Sequence, residues 1–326
     1  MSPTYSTLHD LYLATLKEVY SGYDYLNSPR GQDEREKLGF SARLAHPYRR
    51  YCFLPERRQN IVFNYAEVLW YLSGKNDLAF IEYYAPSMRR YSPDGHSLPG
   101  TGYGARLSKK LDSGQTPVER LLTLLSADDA ASKRAVLQIF DDSEDLYSTN
   151  TDVSCTLALQ CLLRDGKLHM ISFMRANDAY VGLLNDIFSF TFLQELLAVL
   201  LDVEVGTYGH HVGSIHIYTK DLLHVERLLS ADQSDTTNIH YPRIPGHTTL
   251  DDINAVLDWE SSIRADTVSL TNIREQDLDP FWAEILTLFW IYRQITFSRT
   301  VERSIANDLH PVHRQLVLNR WPDAFK

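Results

Sequence analysis

Between residues 154 and 201 the order of apolar and polar residues leaves little freedom of fold. Residues 154–164 alternate in strand fashion, with Cys155, Leu157, Leu159, Cys161 and Leu163 predicted on one face. Asp165-Gly166 is a strong hairpin turn, and 168–175 supplies the returning strand. The apolar run 187–201 follows; it contains Gln194 and Glu195, is too short to span a bilayer, and reads as a buried helix. Asp186 is placed to cap it, with Asn185 as the other candidate.

The flanking sequence supplies helices and further strands. Thr7 with Asp10 forms a capping pattern ahead of Leu8, Leu11, Thr15 and Val19, hence an amphipathic first helix. Residues 27–38 are polar and glycine-containing and read as a loop. Helices are predicted over Ile61–Leu72, 117–125, 222–229 and 281–297, a short extended piece over 213–218, and a polar connection over 230–249. Residues 86–104 hold four glycines and three prolines and form a long loop. The fold class expected is α+β, with a catalytic domain over 1–270 and a C-terminal helical extension over 271–326 packed on it.

A net charge of -10 argues against a nucleic-acid polymer as partner, because such proteins carry basic surfaces. The three cysteines, Cys52, Cys155 and Cys161, are too few and too irregular for a disulfide framework or a zinc site, so no metal is expected. With no basic and apolar leader at the N-terminus, the expected location is the cytoplasm, away from a membrane.

Cys155 by itself reads as a small core residue on a strand. Its spacing to Arg175, across a single hairpin, brings a guanidinium beside the thiol; that lowers the thiol pKa and makes a nucleophile. Glu67 lies in a helix rich in Tyr65, Val68, Leu69 and Trp70, where an unpaired acid is costly and therefore a candidate for function.

Ser154-Cys155-Thr156, Arg175-Ala176-Asn177-Asp178, Gly182-Leu183-Leu184-Asn185-Asp186 and His216-Ile217-Tyr218 resemble, in that order, the active-site half of the thymidylate synthase family. Arg30-Gly31, Glu67-Val68-Leu69-Trp70, Tyr103-Gly104 and Lys133-Arg134 extend the likeness over roughly residues 5 to 225. The resemblance implies a thymidylate synthase-like fold, a mixed sheet with packed helices, and a homodimer. It also implies a pyrimidine nucleoside monophosphate and 5,10-methylenetetrahydrofolate as substrates. Cys155 would attack C6 of the base, and Glu67 would shuttle protons. Arg30 and Arg175, with Lys133 and Arg134 donated across the dimer interface, would bind phosphate beside Ala176. His216 and Tyr218 would hold the sugar, Asp186 and Gly182 the base, and Asp178, Val181 and Tyr103 the folate.

Several positions depart from the family pattern. Asp186 replaces the asparagine of uracil-specific members; a carboxyl group suits the donor–acceptor edge of cytosine. Ala176 stands for the usual serine and Lys133 for the usual arginine, which loosens the phosphate pocket and favours a ribonucleotide. This combination resembles the CMP 5-hydroxymethylase branch of the family, known from antibiotic biosynthesis. The altered 86–104 loop and tail suit water entry and a hydroxymethyl product. Thr156 replaces the usual histidine beside the thiol, which throws more of its activation onto Arg175. A dCMP 5-hydroxymethylase, a pyrimidine nucleotide C5-methylase and a non-catalytic nucleotide-binding homologue are the alternatives.

Overall fold

A computed structural model describes residues 2–147, 149–231 and 239–326. Part of the predicted polar connection over 230–249 lies outside them. The hairpin forms as predicted. Asp165 and Gly166 both take positive φ, 49° and 70°, the pair of left-handed conformations that a tight two-residue turn requires. It joins β5 (Thr156–Arg164) to β6 (Lys167–Asp178).

Around it the sheet runs β1-β3-β7-β6-β5-β4, where β1 is Thr4–Tyr5, β3 is Glu34–Leu44, β4 is Val136–Gln138 and β7 is Glu204–Tyr218; β2 (Tyr25–Asn27) pairs with β3. β3 is antiparallel to β7, whereas β6 and β7 are parallel. The Gly182–Leu200 helix makes the crossover that a parallel pair demands. Contrary to the expectation from 187–201, it is long and apolar enough to cross a membrane, because it begins at Gly182, yet it is mostly buried inside the protein.

Three strand expectations need correction. The supposed loop 27–38 gives way to β3 at Glu34; the charged run Glu34, Arg35, Glu36 and Lys37 reads as solvated, but it pairs with β7 from Tyr218 to Ile215. The short piece over 213–218 is the end of a 15-residue strand. Leu157 does not share the face of Leu159. One extra residue is accommodated in β5 between Thr156 and Ala158, a β-bulge, so Thr156 is buried with Leu159 and Cys161 while Leu157 is exposed.

The helices follow their sequence signals. Thr7 accepts from the Asp10 N–H at the start of Leu8–Ser21, and Asn60 caps Ile61–Leu72. The latter helix carries ten buried residues and packs between Gly182–Leu200 and the C-terminal helices. Pro280–Thr296 buries Trp282, Leu286, Phe289 and Ile291, and His313, from Pro311–Arg320, bonds Tyr65 Oη at 2.8 Å. One hydrophobic cluster runs without a break from Leu8 to Phe325. A buried ion pair, Arg50 with Glu195, ties the segment after β3 to the crossover helix, and Arg243 reaches the same carboxylate.

Candidate active site

The bulge leaves Cys155 at the head of β5, where its carbonyl accepts from the Arg175 N–H at 2.9 Å. The Arg175 side chain folds back over this segment: Nε donates to Ser154 O at 2.7 Å, and Nη2 lies 3.7 Å from the Cys155 sulfur. Spacing alone predicted this contact. The predicted net lowering of the thiol pKa does not follow. Burial pushes it up, and Asp186 adds to the rise; Arg175 and Arg30 oppose it without prevailing. Arg30, in a left-handed conformation at φ 53°, is thus close enough to act on the thiol.

Thr156, where the family has its basic residue, serves packing. Its hydroxyl donates to Tyr103 Oη at 3.1 Å. Tyr103 stacks on Tyr71 with ring centroids 5.0 Å apart. Before Cys155, Asp152 accepts from Gly100 N–H at 2.8 Å and so ties the 86–104 loop to the Cys155 segment.

Glu67 projects from Ile61–Leu72 into the space between that helix and Gly182–Leu200, where Ser189 Oγ donates to it at 2.8 Å. Burial and the nearby Asp186 push its pKa up to about 8 against the help of Ser189 and Tyr71. It therefore holds a proton at neutral pH and is poised to release one near it, as a proton carrier must.

Asp186 is not a helix cap. The helix begins at Gly182 with Val181 as N-cap residue, and Asp186 sits inside its second turn. Asn185 does not cap either; its side chain bonds Asn64 at 2.9 Å. The Asp186 carboxyl accepts from Asn177 Nδ2 at 2.6 Å, and burial raises its pKa to about 7. Gly182 permits the approach: a Cβ there would lie 3.0 Å from Asn177 Nδ2 and 3.4 Å from the Asp186 carboxylate.

Behind Asn177 a network continues that the sequence did not reveal. Because the amide nitrogen faces Asp186, Asn177 Oδ1 faces His210 Nε2 at 3.1 Å and must accept from it. His210 Nδ1 is then the acceptor for Ser172 Oγ at 3.0 Å and Tyr208 Oη at 2.9 Å. Burial depresses the His210 pKa to about 3, so the ring is neutral. Alternation offered part of the signal: Ser172 falls in phase with the buried Leu168, Met170 and Met174, and Tyr208 with His210, whereas Asn177 is out of phase with Ser172 and gave no such signal.

His216 and Tyr218 fall on one face of β7, with ring centroids 4.8 Å apart. The His216 pKa is depressed to about 4 by burial. Neither of its ring nitrogens makes a hydrogen bond of normal geometry. Tyr218 has its pKa raised to about 12, chiefly by burial, with Asp178, Glu34 and Cys155 all near enough to contribute. Asp178 Oδ1 accepts from the N–H groups of Tyr180 and Val181 at 2.8 and 3.2 Å, and Val181 beside it is 44% exposed. Ala176 stands opposite Ser214 in the β6–β7 register, half-buried. Lys133 and Arg134 are exposed just before β4, and among the described residues no hydrogen bond or ion pair joins them to Cys155 or Arg175. Among the described residues no cluster of three or more His, Cys, Asp or Glu could hold a metal ion.

The sequence profile of the thymidylate synthase family matches residues 10–260. The deoxyuridylate hydroxymethyltransferase of Bacillus phage SP01 is 32% identical over 220 residues, 65% of this chain and 57% of that protein. That of Pseudomonas phage M6 is 30% identical over 198 residues, 60% of this chain and 55% of its own. The chain thus spans a little over half the length of these relatives. Among solved structures, the thermostable thymidylate synthase A of Bacillus subtilis superposes with a TM-score of 0.60 over 71% of this chain and 86% of that one, at 19% identity. That likeness establishes the fold.

Proposed function

The chain belongs to the thymidylate synthase family, and from that premise we propose that it is a CMP 5-hydroxymethylase. The observation that carries the choice of base is Asp186: a buried carboxyl, held by Asn177, with its pKa raised to about 7. Near neutrality it holds a proton for part of the time. A protonated carboxyl donates to cytosine N3 and accepts from the N4 amino group, whereas uracil offers the opposite edge. Ala176 and Lys133 support the ribonucleotide by relaxing the phosphate pocket, which Arg30, Arg175 and, from a second subunit, Lys133 and Arg134 would form. A homodimer is part of the proposal, as is a C-terminal extension after about residue 270. The three free cysteines suit a reducing cytoplasm.

In this reading Cys155 gives up its proton and its sulfur bonds to C6 of the base, moving electron density to C5. Arg175 steadies the developing thiolate from 3.7 Å. The exposed Val181 beside the carboxyl of Asp178 suits a pterin, which has apolar faces and a hydrogen-bonding edge. Methylenetetrahydrofolate, when bound, supplies the one-carbon unit that joins C5. C5 then loses its proton and tetrahydrofolate departs with its nitrogen, with Glu67 carrying protons for both; water adds to the exocyclic methylene left on C5 as the Cys155–C6 bond breaks.

A second reading has a specific support: the phage relatives are named for deoxyuridylate. Incubation with the folate and each of CMP, dCMP, UMP and dUMP, with products identified by mass, separates the two. The expected result is 5-hydroxymethyl-CMP. Turnover of dUMP alone would overturn the argument from Asp186. An absorbance rise from dihydrofolate would indicate a methylating enzyme, and binding without tritium release from C5-labelled nucleotide a non-catalytic one.

A further inference from the structure

Two glutamates of β3, Glu34 and Glu36, share a face with the sugar-site pair, because they stand opposite Tyr218 and His216 in the antiparallel register with β7. Their circumstances differ. Glu36 is committed, one carboxylate oxygen accepting from Ser214 and the other from Asn27 at 2.6 Å. Glu34 is 3% exposed, and its Oε2 has no hydrogen-bond partner. The nearest opposite group is His216 Nε2 at 3.8 Å, beyond a hydrogen bond. His216 is itself 8% exposed with both ring nitrogens unpartnered. Two buried, unsatisfied side chains facing each other cost stability unless something between them accepts and donates.

We propose that Glu34 reads the ribose, its carboxylate accepting a hydrogen bond from the 2′-hydroxyl while His216 and Tyr218 hold the vicinal 3′-hydroxyl. The proposal rests on the reading of this site as a nucleotide site. A carboxylate is a natural acceptor for a ribose 2′-hydroxyl, as in dinucleotide-binding folds. A deoxyribonucleotide would leave Glu34 buried without its partner, and sites built to bond a hydroxyl discriminate strongly against the analogue that lacks it. Burial, together with the neighbouring Glu36 and Asp178, raises the Glu34 pKa to about 7, so a hydroxyl partner also relieves a strained charge. Glu34 thus provides a positive preference for ribose, distinct from the mere relaxation offered by Ala176.

The test compares kcat/KM for CMP and dCMP in wild type and in Glu34→Gln. Loss of one hydrogen bond to a charged group should lower the CMP value roughly 10- to 100-fold, and the dCMP value much less. The CMP/dCMP ratio should therefore fall about tenfold or more. Equal losses on both nucleotides would overturn the proposal, as would a wild type that prefers deoxyribonucleotides. Calorimetric binding of UMP against dUMP gives the same ribose ratio with the other base. If only uracil nucleotides react, the cytosine reading fails while the Glu34 test still reports. Should Glu34→Gln melt far below wild type, Glu34→Asp replaces it; retracting the carboxylate should still lower the ribose preference at least threefold, and an unchanged ratio would count against the proposal.

Discussion

The two ends of β7 treat buried polarity in opposite ways. At Tyr208 and His210 every group named has a partner: Asp186, Asn177, His210, Ser172 and Tyr208 form one connected chain of bonds. At His216 and Tyr218, only six residues further along, Glu34 and His216 face each other unpartnered. A completed network holds a reading group in one orientation before anything binds. An incomplete one stores a desolvation cost that a ligand relieves on arrival. In the proposed reading, the base end is preorganised by the protein and the sugar end is finished by the substrate.

The sharpest way to break this contrast is at Asp186. In Asp186→Asn the side-chain oxygen still accepts from Asn177, so the amide turns its NH2 to the base edge and the N4 amino group loses its acceptor; we expect kcat/KM for CMP to fall by about 10³ or more, with uracil nucleotides gaining. Because Asn177 and His210 keep their mutual bond, the variant should still fold; retained cytosine preference in the competition assay would refute the base-reading role.

Stability offers the next contrast. His210→Ala strips partners from Asn177, Ser172 and Tyr208 in the core and should cost about 2–4 kcal/mol in urea unfolding. His216→Ala removes a ring that makes no hydrogen bond of normal geometry in the free protein, and should cost about 1 kcal/mol or less while severely raising KM. Equal destabilisation by both would erase the distinction.

Glu67 predicts the pH profile. A carboxyl whose pKa is raised to about 8 binds its proton more tightly in the folded chain than in the unfolded one, where the ordinary value is 4.5. Its contribution is then fully present below about pH 4.5 and is lost as pH rises through 8. Glu67→Gln should therefore gain stability relative to wild type between pH 5 and pH 8, read as a difference of melting temperatures. A difference independent of pH would mean that the group is not protonated. The smallest effect belongs to Ala176→Ser, which should shift the CMP/dCMP ratio toward dCMP by about threefold, on the strength of one added hydroxyl contact; no shift would count against the relaxed phosphate pocket.

What the sequence made legible follows the same division. The Asp165-Gly166 turn, the apolar helix, the Cys155–Arg175 contact and the burial of Glu67 all rest on local pattern, and all are present. The Asp186 network was hidden because its members come from separate strands; His210 and Asn177 are 33 residues apart. Glu34 was hidden for another reason. The run Glu34-Arg35-Glu36-Lys37 has the composition of a solvated loop, and only its pairing with β7 buries one of its acids. The capping role expected of Asp186 failed because the helix starts one turn earlier, at Gly182, without a side-chain cap.

The bulge in β5 gives this site an unusual kind of vulnerability. Strand side chains alternate, so the count of residues between Leu159 and the strand's head decides which of Cys155 and Thr156 faces which way. If the strand ran on without the bulge while keeping Leu157, no chemical group in the site would change, yet the faces of those two residues would exchange. Most inactivating changes in such a protein alter what a residue is; here a plain ladder in place of the bulge would turn the thiol round with every residue unchanged.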